Sequence, residues 1–350
     1  MQKIDLADYS IFIGNDWNEW NIFLQQYQKI VVLCDGNTEK FCFEPFSNHF
    51  PAHKTSRIRI GAGETFKNLE TCQHIWQQLF ELQADRNTLL INLGGGVIGD
   101  MGGFCAATFK RGMPFLQLPT TLLSQVDASI GGKLGIDFGG VKNSIGVFQN
   151  PKAVFVFPQF LKTLSAAELR SGFAEIVKHA LIADKNQWNA IKNLENLKNI
   201  DFSTFLKHSL EIKKRIVEID PFEKGLRKAL NFGHTIGHAV ESLALESPKP
   251  LLHGEAVAIG MICETWLSHK ILGLPKEEVT AVTNFILKIY GKNDINFNNN
   301  ALLALMQQDK KNEAARINFS LLPALGAVEI NQTPPPQYII ESLDFYRGLN

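Results

Sequence analysis

The chain lacks a net charge, a long apolar run and a secretory leader, and each absence excludes a class of protein. Its 35 lysine and arginine residues balance 35 aspartate and glutamate residues, so no overall field attracts nucleic acid or an anionic membrane. No apolar run approaches the roughly 18 residues that span a bilayer, and the N-terminus MQKIDLADYSIFIG lacks the segments of a signal peptide. We therefore expect neither a nucleic-acid partner nor a membrane association.

The chain also has few cysteines, and none of them forms a C-x-x-C pair. An odd number of scattered cysteines fits reduced thiols in a reducing compartment. The five residues are Cys34, Cys42, Cys72, Cys105 and Cys263. We therefore expect a soluble, cytoplasmic protein.

Short β-branched or apolar runs in the first part of the chain predict a parallel α/β sheet. These runs are residues 29–35, 87–93, 114–119 and 153–157. From Ser165 onward the pattern changes to long apolar-periodic stretches, which are typical of helices packed on one another. These stretches are residues 165–183, 204–219, 226–243, 255–270 and 275–290.

The change of pattern predicts two domains. A chain of 350 residues with 45% hydrophobic content is long enough to bury one large core or two ordinary cores. Ser165 and Glu168 have the spacing of a helix capping box, which places a boundary near residue 160. We predict a nucleotide-binding α/β domain at 1–162 and a mainly α-helical domain at 163–350, with a small hairpin at 316–330.

A glycine cluster directly follows one of the predicted strands. Gly94, Gly95 and Gly96 end the segment NTLLINLGGG, and Gly99 and Asp100 come next. Glycines in this place let backbone amides approach a pyrophosphate at a helix N-terminus. A tight strand-to-helix turn is the alternative for a lone glycine cluster, but the strand context favours a nucleotide.

An aspartate ends the first predicted strand. Asp35 follows KIVVLC, where a carboxylate could accept hydrogen bonds from ribose hydroxyls. A solvated turn aspartate is the alternative interpretation.

Residues 119–151 are rich in glycine, serine, threonine and asparagine, and we interpret them as a long ordered loop, a kind that is usually functional. Charged and amide side chains between the glycines could point at a small anionic ligand. They are Asp127, Lys133, Lys142 and Asn143. Ordinary surface lysines on a solvated loop are the alternative.

A histidine pair in LNFGHTIGHAVES indicates a metal site. His234 and His238 stand four residues apart and therefore share one helix face. Gly233 and Gly237 each cost a helix about 1 kcal/mol relative to alanine, a cost that is accepted where another group must come close. A pair at this spacing is more often packed or exposed than ligating, so further ligands are needed.

Two more segments supply candidate ligands. His253 and Glu255 lie at the start of another apolar helix, while Glu175, Lys178 and His179 lie on the helix that follows Ser165. A local helix pair is the alternative for these last three. Two histidines, one carboxylate and an open position would suit a catalytic zinc, and spacing alone leaves open which three residues bind.

Taken in order and spacing, these segments resemble the 3-dehydroquinate synthase family from about residue 60 to 325. The matching motifs are GGGVIGDMGGF, FKRGMPFLQLPTTLLSQVDASIGGK, GVKNSIGVFQNP, SGFAEIVKHALI, GLRKALNFGHTIGHAVE and LLHGEAVAIGM. The resemblance implies one divalent metal, zinc or cobalt, on Glu175, His234 and His253. It makes His238 a substrate-facing group on the phosphate side.

The resemblance also implies NAD as cofactor and a phosphorylated sugar acid as substrate. The implied cofactor residues are Asp35, Glu64, Lys67, Gly95, Gly96, Val97, Gly99, Asp100, Thr120, Thr121, Lys133, Lys142, Phe160 and Thr163. The implied substrate residues are Asp127, Lys133, Asn143, Lys178, Lys213, Arg227, Asn231, His238 and, in the segment DKK, Lys310 in preference to Lys311. The resemblance also implies that Arg111 reaches the active site of the partner subunit, so we expect the protein to be a homodimer.

Three positions in two segments depart from the family pattern and concern loop detail. Leu134 stands where a threonine is common, and Pro221 and Phe222 replace an acidic-basic pair.

The resemblance implies a carbon–oxygen lyase of the shikimate pathway. Its reaction converts 3-deoxy-D-arabino-heptulosonate 7-phosphate to 3-dehydroquinate and phosphate by transient oxidation, phosphate elimination, re-reduction and aldol closure. The alternatives are another NAD- and metal-dependent sugar-phosphate cyclase, a metal-dependent alcohol dehydrogenase of related fold, and a non-catalytic nucleotide sensor. Arg227 and Lys213 favour a carboxylated substrate, and the lysines disfavour the dehydrogenase.

Overall fold

The computed structural model describes residues 1–139, 141–198, 200–245, 247, 250–308 and 316–349. They divide into two compact units: Met1–Ser165 with Phe202–Lys214, and Ala166–Asp201 with Arg215–Asn350. Among the described residues, no helix has both the length and the apolarity that crossing a membrane requires.

The first unit is built on a mainly parallel sheet. Its strands and those of a separate hairpin are β1 (Gln2–Asp5), β2 (Ser10–Ile13), β3 (Ile30–Asp35), β4 (Thr55–Ile60), β5 (Leu89–Gly94), β6 (Phe115–Pro119), β7 (Lys133–Phe138), β8 (Val141–Phe148) and β9 (Ala153–Val156). The seven-stranded sheet has the order β1-β2-β9-β6-β5-β3-β4. Within the described residues the β1–β2 pair of this sheet is antiparallel, whereas β2–β9, β9–β6, β6–β5, β5–β3 and β3–β4 are parallel.

Helices cover both faces of this sheet, which explains why its central strands read as continuous apolar runs. The helices of the unit are α1 (Asn18–Gln25), α2 (Gly36–Thr38), α3 (Leu69–Glu81) and α4 (Gly96–Thr108). Val31 and Leu33 face the core formed with α3 and α4, whereas Val32 and Cys34 face the core formed with α1. The predicted strands at 29–35, 87–93, 114–119 and 153–157 are confirmed within one or two residues.

The prediction of a long loop at 119–151 is wrong in its middle. After a short π-helical turn at Ser124–Ala128, strands β7 and β8 pair as an antiparallel hairpin. A Cβ on Gly146 would overlap the carbonyl oxygen of Leu134, and a Cβ on Gly135 would lie 2.7 Å from that of Ile145. The glycines that suggested a loop instead permit close strand pairing.

The second unit is mainly helical. Its elements are α5 (Ala166–Ala183), α6 (Lys185–Ile191), α7 (Ser203–Ile219, which enters this unit at Arg215), α8 (His234–Ala244), α9 (His253–Leu272), α10 (Lys276–Tyr290), α11 (Asn299–Gln308), β10 (Phe319–Ala324), β11 (Ala327–Gln332) and α12 (Pro336–Arg347). Helix α9 is apolar on all sides and contacts α5, α8, α10, α12 and β10. A helix of this composition belongs at the centre of a core.

The two predicted domain types are confirmed, an α/β sheet domain followed by a helical domain, but one predicted helix is wrong. Residues 226–243 do not form a single helix: a 3₁₀ segment, Leu226–Asn231, ends before Gly233, whose φ of +79° breaks the helix. The hairpin predicted at 316–330 is confirmed as β10 and β11, with Gly326 at φ +86° in its turn.

Candidate active site

The cofactor residues expected in the first unit follow the carboxyl ends of the parallel strands. The carboxyl ends of parallel strands meet at one edge of a sheet, which is where α/β proteins bind nucleotides. Asp35 ends β3, Glu64 and Lys67 follow β4, Gly95, Gly96, Val97, Gly99 and Asp100 follow β5, Thr120 and Thr121 follow β6, and Phe160 and Thr163 follow β9. The topology therefore brings residues that are distant in the sequence to a common edge.

The glycine cluster forms the open start of α4. Gly95 is the N-cap residue and has no side chain to satisfy the free amides of the first turn, which leaves them available to an anion. A Cβ on Gly102 would overlap the side-chain oxygen of Asn92, so this glycine lets α4 pack directly on β5.

Asp35 caps the short helix that follows β3. Its Oδ1 atom accepts hydrogen bonds from the amides of Asn37 and Thr38, both at 2.8 Å. The Oδ2 atom takes part in neither bond. Asp35 therefore acts as a turn residue through Oδ1, while Oδ2 could accept the hydrogen bond from a ribose hydroxyl that the sequence predicts.

Lys67 joins the glycine loop to the hairpin. Its side chain is only 4% exposed, and its Nζ atom lies 2.6 Å from Asp100 Oδ2 and 2.6 Å from Asn143 Oδ1. Burial acts to lower the pKa of Lys67, but the carboxylates of Asp100, Glu64 and Asp137 outweigh it and raise the pKa. Burial raises the pKa of Asp100 more than the cations of Lys67 and Lys213 lower it. The charge of Asp100 therefore depends on these cations.

Asn143 occupies a left-handed backbone conformation with φ +49°. Its amide donates to Asp137 Oδ1 at 2.7 Å, and the amide of Asp137 donates to the carbonyl of Lys67 at 2.9 Å. A non-glycine residue in this region is strained unless its surroundings hold it there. Lys67 and Asp137 supply that restraint.

The remaining candidates of the first unit are an ion pair with a buried lysine and three more exposed cations. Lys213 is buried, with Nζ 2.8 Å from Asp127 Oδ1 and a further hydrogen bond to the carbonyl of Asp127. Lys133 and Arg111 are exposed, and Lys142 is half-buried. Arg111 has φ +65° and follows Lys110 at φ +49°, so it is presented on a strained turn.

In the second unit, three helices bring Glu175, His234 and His253 together. Glu175 lies fully buried in α5, and the two histidines are the first residues of α8 and α9. Glu175 Oε1 lies 3.4 Å from His234 Nε2 and 3.9 Å from His253 Nε2. Tetrahedral zinc with bonds of 2.0–2.1 Å holds neighbouring ligand atoms about 3.3 Å apart. The distance to His234 is close to this value and the distance to His253 is longer, so the His253 ring must move towards Glu175 for the three residues to hold one divalent metal.

Glycines allow the three helices to approach so closely. A Cβ on Gly254 would overlap the carbonyl oxygen of Ser171 in α5, and a Cβ on Gly260 would overlap that of Gly233 at the start of α8. A Cβ on Gly237 would lie 3.0 Å from the Cα of Val257. The expectation that something must approach Gly233 and Gly237 is confirmed, and the approaching group is the backbone of α9.

Both histidines present Nε2 to Glu175 because their Nδ1 atoms have other partners. His234 Nδ1 lies 3.1 Å from the carbonyl of Phe232, an acceptor that requires the proton on Nδ1. His253 Nδ1 lies 3.1 Å from Glu241 Oε2, also an acceptor. In each neutral ring Nε2 then carries the lone pair that a metal requires.

The electrostatics of the cluster keep these groups in their ligating forms. Burial acts to raise the pKa of Glu175, but the Lys178 ammonium, with His234 and His179, outweighs it and holds the pKa well below its usual range. Burial, reinforced by the Lys178 cation, lowers the pKa of His234. A carboxylate and a neutral imidazole result. Lys178 Nζ is in direct contact with Glu175 Oε2.

His238 and Glu255 are the other ligand candidates that the sequence left open. The ring of His238 lies 5.1 Å from that of His234 and 5.8 Å from that of His253, and one nitrogen of each ring lies within 4.8 Å of the others. Three histidines are therefore an alternative ligand set. The carboxylate of Glu255 instead bonds Arg170 and the amide of Leu252.

The candidate substrate residue Arg227 follows a tightly organised turn. The Asp220 carboxylate accepts hydrogen bonds from the amides of Lys224, Gly225 and Arg227 at 3.0, 2.7 and 3.0 Å. The guanidinium of Arg227 donates to the carbonyl of Pro221, and Arg227 is 2% exposed. Pro221 and Phe222, which differ from the family pattern, therefore lie within the turn whose backbone amides bond the Asp220 carboxylate.

The substrate candidate Asn231 donates a hydrogen bond to Glu223 Oε1 at 3.0 Å. The ligand candidate His179 is fully buried in α5. Lys310 lies outside the described residues.

Sequence reasoning missed the acidic residues that support the candidates. Glu241, Glu264, Asp137 and Asp220 touch helix starts, histidines or turns, and none belongs to a recognisable ligand pattern. One signal was available, because Glu241 follows His234 and His238 on the same face of α8.

Comparisons with known proteins identify what the chain is similar to. The family model described as 3-dehydroquinate synthase N-terminal matches residues 57–171, and that described as 3-dehydroquinate synthase C-terminal matches residues 172–312. The 3-dehydroquinate synthase of Parabacteroides distasonis is 44% identical to this chain, over 92% of each protein.

Two solved structures of other synthases share the fold. A 2-deoxy-scyllo-inosose synthase complexed with carbaglucose-6-phosphate, NAD+ and Co²⁺ superposes with a TM-score of 0.87 at 23% identity, covering 99% of each chain. The 2-epi-5-epi-valiolone synthase of Streptomyces hygroscopicus, with NAD+ and Zn²⁺ bound, gives 0.86 at 22% identity over 99% of each chain. At these identities the likeness establishes the fold alone.

Proposed function

The chain belongs to the 3-dehydroquinate synthase family, and from this premise we propose that it converts 3-deoxy-D-arabino-heptulosonate 7-phosphate to 3-dehydroquinate and phosphate. The observation that carries the proposal is the cluster of Glu175, His234 and His253, whose facing atoms lie 3.4 and 3.9 Å apart. A carboxylate and two imidazoles with an open position are the ligand set of a catalytic metal site.

Glu175, His234 and His253 would hold one divalent metal, zinc or cobalt, since both suit mixed nitrogen and oxygen ligands. When bound, the metal would supply a Lewis acid to the substrate hydroxyl group whose carbon is oxidised and later reduced. Support comes from the ionised state of Glu175 and from the Nδ1 partners of the two histidines. The two similar solved structures contain Co²⁺ and Zn²⁺, which also supports a divalent metal in this chain.

NAD would bind at the carboxyl edge of the parallel sheet. When bound, it supplies a hydride acceptor that is regenerated in each turnover. The start of α4 offers backbone amides to the pyrophosphate, Asp35 Oδ2 would accept a hydrogen bond from a ribose hydroxyl, and Lys67 keeps Asp100 in place. The remaining cofactor residues expected from the family, Thr120, Thr121, Lys142, Phe160 and Thr163, belong to the same proposal.

The substrate carries a phosphate and a carboxylate, and cationic side chains would bind both. Arg227 and Lys213 serve the anionic groups, because a buried guanidinium or ammonium forms strong hydrogen bonds with carboxylates. Lys178 and His238 stabilise the charge of the departing phosphate. Asp127, Lys133, Asn143, Asn231 and Lys310 complete the set of substrate residues.

Three further assignments rest on the family. We propose a homodimer in which Arg111 reaches the partner's site, and the exposed, strained turn at Lys110 and Arg111 supports this role. We also propose a cytoplasmic location and a division of labour between an NAD-binding domain at 1–162 and a metal-binding domain at 163–350.

Phosphate release from the seven-carbon substrate by chelator-treated protein tests the proposal, with NAD and zinc or cobalt added separately and together. We expect stoichiometric phosphate and dehydroquinate, a requirement for both additions, and no net NADH by absorbance. Steady NADH accumulation would instead indicate a dehydrogenase. Absence of reaction, with turnover of another sugar phosphate, would assign the chain to a different cyclase activity.

A further inference from the structure

Helix α8 begins without a side chain of its own to cap it. The first amides of a helix have no partner within the helix, and an N-cap serine, threonine, aspartate or asparagine usually satisfies one of them. The N-cap here is Gly233, at φ +79°. A Cβ at this position would lie 2.6 Å from Cγ of Met261, so both the backbone conformation and α9 exclude a larger residue.

A buried glutamate from another helix supplies the missing acceptor. Glu264 of α9 is fully buried, and its Oε2 atom accepts a hydrogen bond from the amide of Gly233 at 2.6 Å. Its Oε1 atom accepts one from the amide of Ile236 at 3.1 Å. A negative charge at a helix N-terminus is favoured by the helix dipole. One carboxylate therefore holds both ends of the first turn of α8.

His234 lies between the two amides that Glu264 binds. The direction of its Cα–Cβ bond is set by the backbone of this turn, and its Nδ1 atom is already engaged by the carbonyl of Phe232. A small rotation of the turn would therefore move Nε2 relative to Glu175, from which it lies 3.4 Å. Glu264 binds the backbone amides on either side of His234, so it acts on the position of this histidine through the backbone of the turn.

The same glutamate also fixes α8 against the helix that carries the second histidine. Contacts between α8 and α9 follow an antiparallel register: Gly233 meets Met261, Gly237 meets Val257, and Glu241 meets His253. The hydrogen bonds of Glu264 join the two helices at one end of this contact, and the Glu241–His253 hydrogen bond joins them at the other. Burying a carboxylate is unfavourable unless it is well hydrogen-bonded. The amides of Gly233 and Ile236 supply such bonds to both oxygens of Glu264.

We propose that Glu264 is a positioning residue of the metal site, which holds His234 in ligating geometry through the first turn of α8. The inference rests on the proposed function, because it assumes that Glu175, His234 and His253 bind the metal.

Metal affinity of the chelator-treated protein tests the inference. Zn²⁺ and Co²⁺ dissociation constants are measured by competition with a chromophoric chelator, together with the visible spectrum of the Co²⁺ form. In E264Q one oxygen still accepts an amide, but the side-chain NH₂ group faces the other amide. We expect affinity to fall about 10–100-fold, as for other residues that orient ligands, and the Co²⁺ bands to change.

T265V is the matched control. Thr265 is fully buried and donates to the carbonyl of Met261 within α9, at 2.6 Å, so the variant removes a neighbouring buried hydrogen bond without affecting α8. We expect it to keep the wild-type metal affinity and spectrum, even where its melting temperature falls. Wild-type affinity and spectrum in E264Q would overturn the inference.

Two further outcomes separate this inference from the proposal on which it rests. Wild-type protein that binds neither metal would refute the metal site itself. If E264Q does not fold, E264D answers the same question, because it keeps the charge but is one methylene too short to span both amides. Weakened affinity in folded E264D supports the inference, and unchanged affinity overturns it.

Discussion

The Nδ1 atom of His253 lies 3.1 Å from Oε2 of Glu241, on the helix that begins with His234. A carboxylate in this position fixes the ring proton on Nδ1 and turns the Nε2 lone pair towards Glu175. Carboxylates that orient ligating histidines in this way also raise the basicity of the ligand. Glu241 therefore acts on the candidate metal site without being a ligand.

We expect E241Q to weaken metal binding about 10–100-fold. The glutamine NH₂ group can donate to Nδ1, which favours the tautomer with its proton on Nε2, the atom that must bind the metal. Chelator competition on metal-free protein measures the effect. E278Q is the control, since Glu278 lies in α10 and bonds Lys185 rather than a histidine or the start of α8 or α9. Equal losses in both variants would contradict the orienting role.

A comparison of E175Q with H238Q decides between the two ligand sets. Glu175 is fully buried beside both histidines, whereas the alternative set replaces it with His238. We expect E175Q to lose the metal at concentrations that saturate the wild type. We expect H238Q to retain the metal but to lose about 10²–10⁴-fold in turnover, the usual contribution of a group that assists proton or charge transfer.

Metal content after dialysis, measured by elemental analysis, and phosphate release provide the two readouts. H253Q serves as a reference for the loss of a proposed ligand. A metal-free H238Q combined with a metal-loaded E175Q would replace Glu175 by His238 as the third ligand.

Local sequence patterns predicted the elements that carry the site. The buried strands of the sheet read as apolar runs because both faces are covered, and Gly233 with Gly237 marked a helix segment that another group must approach closely. Edge strand β4 was missed, since its alternation of arginine and isoleucine exposes one face and gives a weaker signal. Hairpin β7–β8 was missed because glycines that permit strand contact resemble loop glycines.

Contacts between distant residues explain the rest of what the sequence did not reveal. Glu264 caps a helix whose first amide lies 31 residues earlier in the chain, and Lys67 binds Asn143 across 76 residues. Neither contact can be predicted from the spacing of residues in a local segment of the sequence. The break before α8 also depends on such a contact, because the close approach of α9 requires glycine at position 233.

The ion pair between Lys67 and Asp100 should contribute strongly to the stability of the first unit. Their side chains are 4% and 19% exposed. Removing one partner of a buried pair leaves an uncompensated charge, so we expect K67M to lower the free energy of unfolding by about 3–5 kcal/mol. Urea unfolding of the metal- and NAD-free protein measures this change.

The double variant K67M/D100N tests whether the loss comes from the unpaired carboxylate. Removing the charge of Asp100 as well should recover part of the stability lost in K67M, so the two substitutions should not be additive. Strict additivity would show that Lys67 stabilises the unit through Asn143 or through packing instead.

The turn before Arg227 should lose stability in acid. Partial burial acts to raise the pKa of Asp220, but hydrogen bonds from the amides of Gly225, Lys224 and Arg227 outweigh it and lower the pKa below 3.8. A carboxyl whose folded-state pKa is depressed contributes stability above its unfolded-state pKa. That contribution is lost as the pH falls through the folded-state value.

D220N removes this titration, so the melting-temperature difference between wild type and D220N should be constant above about pH 5 and should shrink towards pH 2. Scanning calorimetry across this range measures the difference. K224A is the control, because Lys224 contributes a backbone amide to Asp220 and the variant keeps that donor. K224A should follow the wild-type pH dependence. A difference between wild type and D220N that is the same at both ends of the range would mean that the Asp220 carboxylate does not stabilise the turn through its charge.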